Sequence, residues 1–224
     1  MNRNWLKIAA TITMLIDHIG AFLFPEVLAL KIIGRLSFPI FAFFIAEGWK
    51  HTSNKSRYAL MLLLCAVISQ IPYALITSWY KLNIIFTFLL AILIIYLIES
   101  YKKHEIPNMI GLLLVSLFLL FTEILGVVDY GIFGVALIVL LYFVKDRKLR
   151  LFVAMLVLVL LTLKNAAIFG FSQGNLIQFT SIIGIVLLFF YNGGKGNLNL
   201  KYLFYTFYPA HLLIIYLIRL FCLG

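Results

Sequence analysis

Charge is scarce in this chain. Asp, Glu, Lys and Arg make up 12% of its 224 residues, and eight acids face eighteen bases. Soluble domains run at about a quarter charged residues, so an ordinary water-facing surface is excluded. Cysteine occurs twice, as Cys65 and Cys222, each inside an apolar stretch. That usage gives neither a disulfide framework nor metal-ligand spacing, and no metal site is expected. HExxH is absent and no serine sits at a nucleophile elbow, since the one GxSxG match, GFSQG at 170–174, falls in a connection between two apolar segments and not after a strand; serine-hydrolase and zinc-hydrolase chemistry are left without a signal. No polar stretch is long enough to form a water-soluble domain.

What is present is apolar. The chain is 64% hydrophobic with 21 Phe, and its mean hydropathy is +1.10. A membrane-spanning helix needs about 20 consecutive apolar residues. Nine segments suggest themselves: 5–24, 32–48, 58–78, 83–98, 107–125, 130–144, 151–164, 174–191 and 203–221. The expected fold is an all-α, polytopic transmembrane bundle of about nine spans. The segments 130–144 and 151–164 are the shortest, and as an incomplete hairpin they would lower the count. The first segment is too long for a signal-peptide core and no small-residue cleavage site follows it, so it reads as the first span.

The bases set the orientation. With the N-terminus inside and nine crossings, the C-terminus lies outside. The inner stretches then hold Arg3, Lys7, Lys50, Lys55, Arg57, Lys102, Lys103, Lys145, Arg147, Lys148, Arg150, Lys195 and Lys201. The outer group is Lys31, Arg35, Lys81, Lys164 and Arg219. Thirteen against five follows the positive-inside rule. Topology therefore accounts for the net charge of +10 without nucleic acid as a partner. Inner bases also attract anionic membrane lipids.

Ionisable groups inside a span cost several kcal/mol unless they are paired or reach water. Asp17 and His18 sit side by side in WLKIAATITMLIDHIGAFLFP. Adjacent helical residues point about 100° apart, so one is expected to face a cavity and the other a neighbouring helix. Lys7 and His18 are eleven residues apart, about three turns and roughly 16 Å along one face. A stripe with a cation at the inner rim and an imidazole beyond the midplane outlines a slot for a long molecule with an anionic head. Lys7 snorkelling to lipid phosphate is the plainer alternative.

The second segment, GRLSFPIFAFFIAEGWKHT, enters from outside. Arg35 lies within a turn of its rim, at a depth like that of His18, where it can pair with Asp17 or grip an acidic group. Glu47, with Lys50 and His51 beside it, fits an interfacial ion pair. Asn83 with Thr87, and Asp129 before Tyr130, suit capping and interhelical bonds. His211, in FYPAHLL, is expected about 12 Å deep in the last span, where it can approach His18 from across the bundle.

The blocks LKIAATITMLIDHIG, GRLSFPIFAFFIAEGWKHTSNKSRY, SQIPYAL, DYGIFGV and LFYTFYPAHLL, in this order, resemble the TraX family. The likeness runs from first span to last, which implies one integral membrane domain over 1–224. One TraX member is associated with acetylation of a conjugative pilin, and that substrate does not carry over to this chain. TraX proteins in turn resemble membrane acyltransferases that modify glycans and lipids. Those enzymes show a base, ten residues, then His in their first helix, and an arginine near the start of the next. Lys7 with His18, and Gly34 with Arg35, stand in those places.

The resemblance implies an acyl-CoA-dependent acyltransferase of the cell membrane, with acetyl-CoA as the foremost donor. Acyl-CoA would come from the inner side, its phosphates met by Lys7 and the basic loop of Lys50, Lys55 and Arg57. His18 would act as base, suited by an unperturbed pKa near 6.5, with His211 as a second candidate. Asp17 would orient a neighbour or set the local field. Arg35 would steady charge on the thioester oxygen. The acceptor would be a small or membrane-bound glycan, lipid or peptide at the outer side. Two other classes stay open. A small-solute transporter suits the Gly- and Pro-marked helices, although no duplication of halves is visible. A non-catalytic scaffold leaves the deep His18, Arg35 and His211 without a purpose.

Overall fold

A computed structural model describes residues 1–101, 105–194, 196–197 and 201–223. Its elements are helices: α1 Arg3–Phe22, α2 Leu28–Gly34, α3 Ser37–His51, α4 Lys55–Ile76, α5 Ile84–Ser100 and α6 Glu105–Leu125. They continue with α7 Gly131–Phe143, α8 Arg147–Phe169, the short α9 Gln173–Leu176, a 3₁₀ turn Ile177–Thr180, α10 Ser181–Phe189 and α11 Lys201–Ile218. A membrane interior offers backbone groups no water, so spanning segments close their hydrogen bonds internally. The chain marks several starts with side-chain caps. Asn54 accepts from the Arg57 N–H at 2.8 Å, Asn83 from Ile85 at 3.1 Å and Asp146 from Leu149 at 2.8 Å.

Six helical stretches are long and apolar enough to cross a membrane: Arg3–Phe22, Leu28–His51, Lys55–Ile76, Pro107–Leu125, Arg147–Phe169 and Phe204–Cys222. The chain is a multi-pass, all-α membrane protein. Three shorter apolar helical stretches accompany the six: Ile84–Ser100, Gly131–Phe143 and Gln173–Phe189. The second segment is broken where α2 hands over to α3 at Arg35 and Leu36. The segment read as 151–164 is a 23-residue helix from Arg147 to Phe169. Hydropathy falls at Lys164, but the helix continues because Lys164 is paired, its ammonium 2.5 Å from Glu123 of α6. The connection between the segments read as 151–164 and 174–191 is correspondingly shorter, from 170 to 172. Of the two short segments only α7 stays short; its 13 residues rise about 20 Å.

Tertiary bonds divide the bundle into two ends. At the near end, where α1 starts, the Arg3 N–H donates to the Gly194 carbonyl at 2.8 Å. Arg147 donates there to the carbonyls of Phe189 and Tyr191 at 2.8 and 2.7 Å. Arg150 pairs with Glu47 at 2.9 Å, and Lys55 with Glu99 at 2.6 Å. At the far end Arg219 donates to the Ile76 carbonyl at 3.1 Å and Leu82 bridges Val128. The bases at the starts of α1, α4 and α8 thus share one end. Lys102, Lys103 and Lys195 lie outside the described residues.

The core centres on α3 and α7, where Ile40, Ala42, Leu137 and Ile138 are buried. α6 is peripheral and turns Leu113, Leu117 and Phe121 outward, as a helix facing hydrocarbon does. Trp5 at the near end and Trp79 with Tyr80 at the far end are exposed, the arrangement of interfacial aromatic belts.

Candidate functional site

α1 places five polar residues along a cavity of about 620 Å³. Arg3, Asn4, Lys7 and Asn197 line it toward the near end. Asp17, His18, Arg35, Asp129 and Tyr130 line its deep part, and Phe38, Phe41 and Phe44 of α3 and Tyr208 of α11 supply much of the wall between. The Lys7 ammonium lies over the rings of Phe44 and Phe204, at 5.4 and 4.9 Å. Such faces attract a cation while leaving its N–H groups free to meet an anion. Asp17 and His18 both border the cavity, so the expected division, one residue to a cavity and one to a helix, is incomplete. Each also meets a neighbouring element.

His18 meets His211. Its Nδ1 is 2.6 Å from His211 Nε2, and the rings are nearly parallel, 3° apart. His211 Nδ1 is 2.8 Å from the Phe207 carbonyl oxygen. A carbonyl only accepts, so Nδ1 of His211 carries the hydrogen. In the neutral ring its Nε2 is then an acceptor, and His18 Nδ1 must donate. The lone pair of His18 is left on Nε2, which has no protein partner among the described residues. Two hydrogen bonds in series therefore fix the tautomer of His18 and leave its basic nitrogen free. Phe22 and Tyr208 hold the His18 ring, at centroid distances of 5.7 and 6.1 Å.

Asp17 meets α2. A Cβ on Gly34 would fall 2.3 Å from the Asp17 Cβ, so only glycine lets the two helices close here. This approach brings the next residue, Arg35, to Asp17 with Nε 3.9 Å from Oδ1. Arg35 Nη1 donates to the Tyr130 hydroxyl at 3.2 Å. Tyr130 itself has φ +58°, a left-handed conformation rare outside glycine and costing about 1–3 kcal/mol. Its ring stacks on Phe38 at 3.7 Å, which fixes the hydroxyl beside Arg35. Tyr73 donates to Asp129 Oδ2 at 2.9 Å, and Thr87 to the Asp129 carbonyl at 2.7 Å. Burial pushes the Asp129 carboxyl above the usual carboxylate range, against the pull of Tyr73, Lys81 and Arg35.

Three separate segments, α1, the α2–α3 junction and the loop before α7, thus deliver an imidazole with a free nitrogen, a guanidinium, two carboxyls and a tyrosine to the deep end of one slot. A search by family profile matches residues 2–219 to the family described as TraX protein. The chain belongs to the TraX family. It is similar to the probable fimbrial assembly protein FimC, serogroup H1, of Dichelobacter nodosus. The two are 30% identical over 234 residues, covering 94% of this chain and 92% of that protein. An uncharacterized protein of Rickettsia prowazekii (strain Madrid E) is 24% identical over 221 residues, covering 90% and 84%. No solved structure matches significantly.

The TraX chain brings His18, Asp17, Arg35 and Lys7 to the same cavity. His211 stands behind His18 and does not border it. Lys50, Lys55 and Arg57 do not border it either; Lys55 is engaged with Glu99 and lies over the Trp49 ring at 5.0 Å. Glu47 is an interfacial ion-pair residue, bound to Arg150 and to His51 at 3.2 Å. Asn83 caps α5 and donates to the Ala66 carbonyl at 2.8 Å. Tyr130 and Tyr73 were not foreseeable as site residues from composition. The one signal was DYG, where an acid precedes a turn glycine at the mouth of a span. Arg3 and Asn4 extend the Lys7 end by one helical turn.

Proposed function

We propose that this TraX protein is an acyltransferase that moves an acyl group, foremost acetyl, from cytosolic acyl-CoA to an acceptor on the opposite side of the membrane. TraX membership supports a membrane function of the acyl-transfer type. The carrying observation is the slot itself: Lys7 at one end, and at the other His18 with its tautomer fixed and Nε2 free. In this account residues 1–224 act as one integral membrane domain of nine crossings, with the N-terminus inside and the C-terminus outside. The thirteen-to-five partition of bases supports that orientation.

Acyl-CoA is the donor substrate of this reaction. Arg3 and Lys7 would meet its phosphates, with the aromatic wall flanking the pantetheine arm. His18 Nε2 accepts the proton of the attacking acceptor group as its heteroatom bonds to the thioester carbonyl carbon. Arg35 and the Tyr130 hydroxyl donate to the oxygen where negative charge develops. Because Arg35 already donates to the Tyr130 oxygen, the tyrosine hydrogen is free for that role. The C–S bond then breaks, and the protonated His18 returns its proton to the departing thiolate. His211 stabilises the charged ring through Nδ1 while its own orientation is held by Phe207. Asp17 balances Arg35.

The test is binding. Purified protein in nanodiscs should bind acetyl-CoA in calorimetry and should not bind acetate with comparable affinity. Folded protein that gives no heat with acetyl-CoA or longer thioesters would point instead to transport or scaffolding.

A further inference from the structure

A second cavity, of about 870 Å³, lies at the far end between the ends of α6 and α8, the start of α7 and the α9 turn. It shares Arg35, Asp129 and Tyr130 with the first cavity. These three residues therefore stand between the two cavities, and on the first side they line its deep part together with His18. Their lining differs. The second holds the amides of Asn165, Asn175 and Gln178 and the Glu123–Lys164 pair.

Most of these groups are already committed. Glu123 is bound by Lys164 at 2.5 Å and by the Ile132 N–H at 2.9 Å. That second bond requires Gly131, since a Cβ there would collide with the carboxylate. Asn175 spends its amide on the carbonyls of Phe169 and Gly170, at 3.1 and 2.7 Å. Two groups remain open. Gln178 is 7% exposed and its Nε2 has no partner. The Asn165 side chain has no hydrogen bond among the described residues either. A buried amide without a partner costs about 1–3 kcal/mol, so an unfilled Gln178 calls for a ligand group.

We propose that this second cavity is the acceptor site, and that it takes an uncharged, hydroxyl-bearing head group on an apolar anchor, bound by Gln178 and Asn165. The inference rests on the acyl-transfer reading and names the substrate class of that site. Amide side chains both donate and accept, which matches hydroxyls. A protonated amine fits poorly. Arg35 and Lys164 are cations, Glu123 is neutralised by Lys164, and Asp129 is engaged by Tyr73. The rim supplies the anchor contact: Ile124 is 83% and Phe169 70% exposed at the mouth. The product is then an oxygen ester. The hydroxyl oxygen bonds to the acyl carbon, the C–S bond of acyl-CoA breaks, and the hydroxyl proton passes through His18 to the free thiol.

The experiment uses the full chain in nanodiscs with radiolabelled acetyl-CoA. Octyl glucoside below its critical micelle concentration is the hydroxyl probe and octylamine the amine probe. Thiol release is followed and the product is treated with mild alkali. We expect saturable acetylation of octyl glucoside in an alkali-labile product. Gln178→Leu and Asn165→Ala should each raise its KM by about five- to tenfold, with acetyl-CoA affinity unchanged. Asn165→Ala removes no buried bond, so it stays informative if Gln178→Leu unfolds. Preferred, alkali-stable acetylation of octylamine would overturn the proposal, as would unchanged KM in both folded variants. So would acetyl-CoA binding without acetylation of octyl glucoside. Failure to bind acetyl-CoA at all would instead sink the acyl-transfer reading beneath it.

Discussion

His211→Ala separates a working imidazole relay from incidental packing. The substitution removes the acceptor 2.6 Å from His18 Nδ1 and the ring that Phe207 orients. His18 then keeps a buried N–H without a partner and is free to adopt the other tautomer, which places the hydrogen on Nε2. An unsatisfied buried donor costs about 1–3 kcal/mol. Realised in the transition state, where His18 is charged, that converts to about 5- to 150-fold in kcat. His211 does not border the cavity, so KM and Kd for acetyl-CoA should hold. His211→Gln supplies an amide oxygen that can accept from His18 Nδ1 and should recover part of the loss. The assay is steady-state thiol release by detergent-purified variants shown to be folded by thermal melts. A folded His211→Ala enzyme with kcat within about twofold of the parent would refute the relay, as would a loss carried by KM alone.

Three further outcomes follow from the same geometry. Lys7→Ala should weaken acetyl-CoA binding about tenfold by calorimetry, with a smaller effect on the single-turnover rate of bound donor and a reduced salt dependence. Gly34→Ala should lower the melting temperature through overpacking of about 1–3 kcal/mol, because its Cβ would lie 2.3 Å from that of Asp17; a protein as stable as the parent would contradict the close approach of α1 and α2. Reporter fusions should place the N-terminus in the cytoplasm and the C-terminus outside, and a cytoplasmic C-terminus would break the nine-crossing topology.

The helical segments were legible in the sequence because lipid leaves the backbone few options. A charge within an apolar run is a poor marker of a helix end when its partner is distant in sequence. Lys164 looked like the close of a span, yet Glu123, forty-one positions earlier, keeps it within α8. The break at Arg35 and Leu36 was hidden because Gly34, Ser37 and Pro39 all fit within one softened helix. The three-turn spacing of Lys7 and His18 was readable from helical geometry alone. The contact of His18 with His211 spans 193 positions; depth made it plausible, but only folding sets its order of donors. Lys50, Lys55 and Arg57 show the reverse. They share the near end with Lys7, but end and face are different properties, and a charge count reports only the end. Gln178 gave no signal, since a polar residue after a turn reads as surface until its burial is seen.

The central claim is that His18 is the base of an acyl transfer. It is tested most directly by single-turnover transfer of radiolabelled acetyl from saturating acetyl-CoA, with the parent and His18→Ala compared in nanodiscs after both are shown to be inserted and folded. The account predicts a rate loss on the order of a hundredfold to ten-thousandfold with donor binding largely intact. A His18→Ala protein that transfers within about twofold of the parent would contradict it.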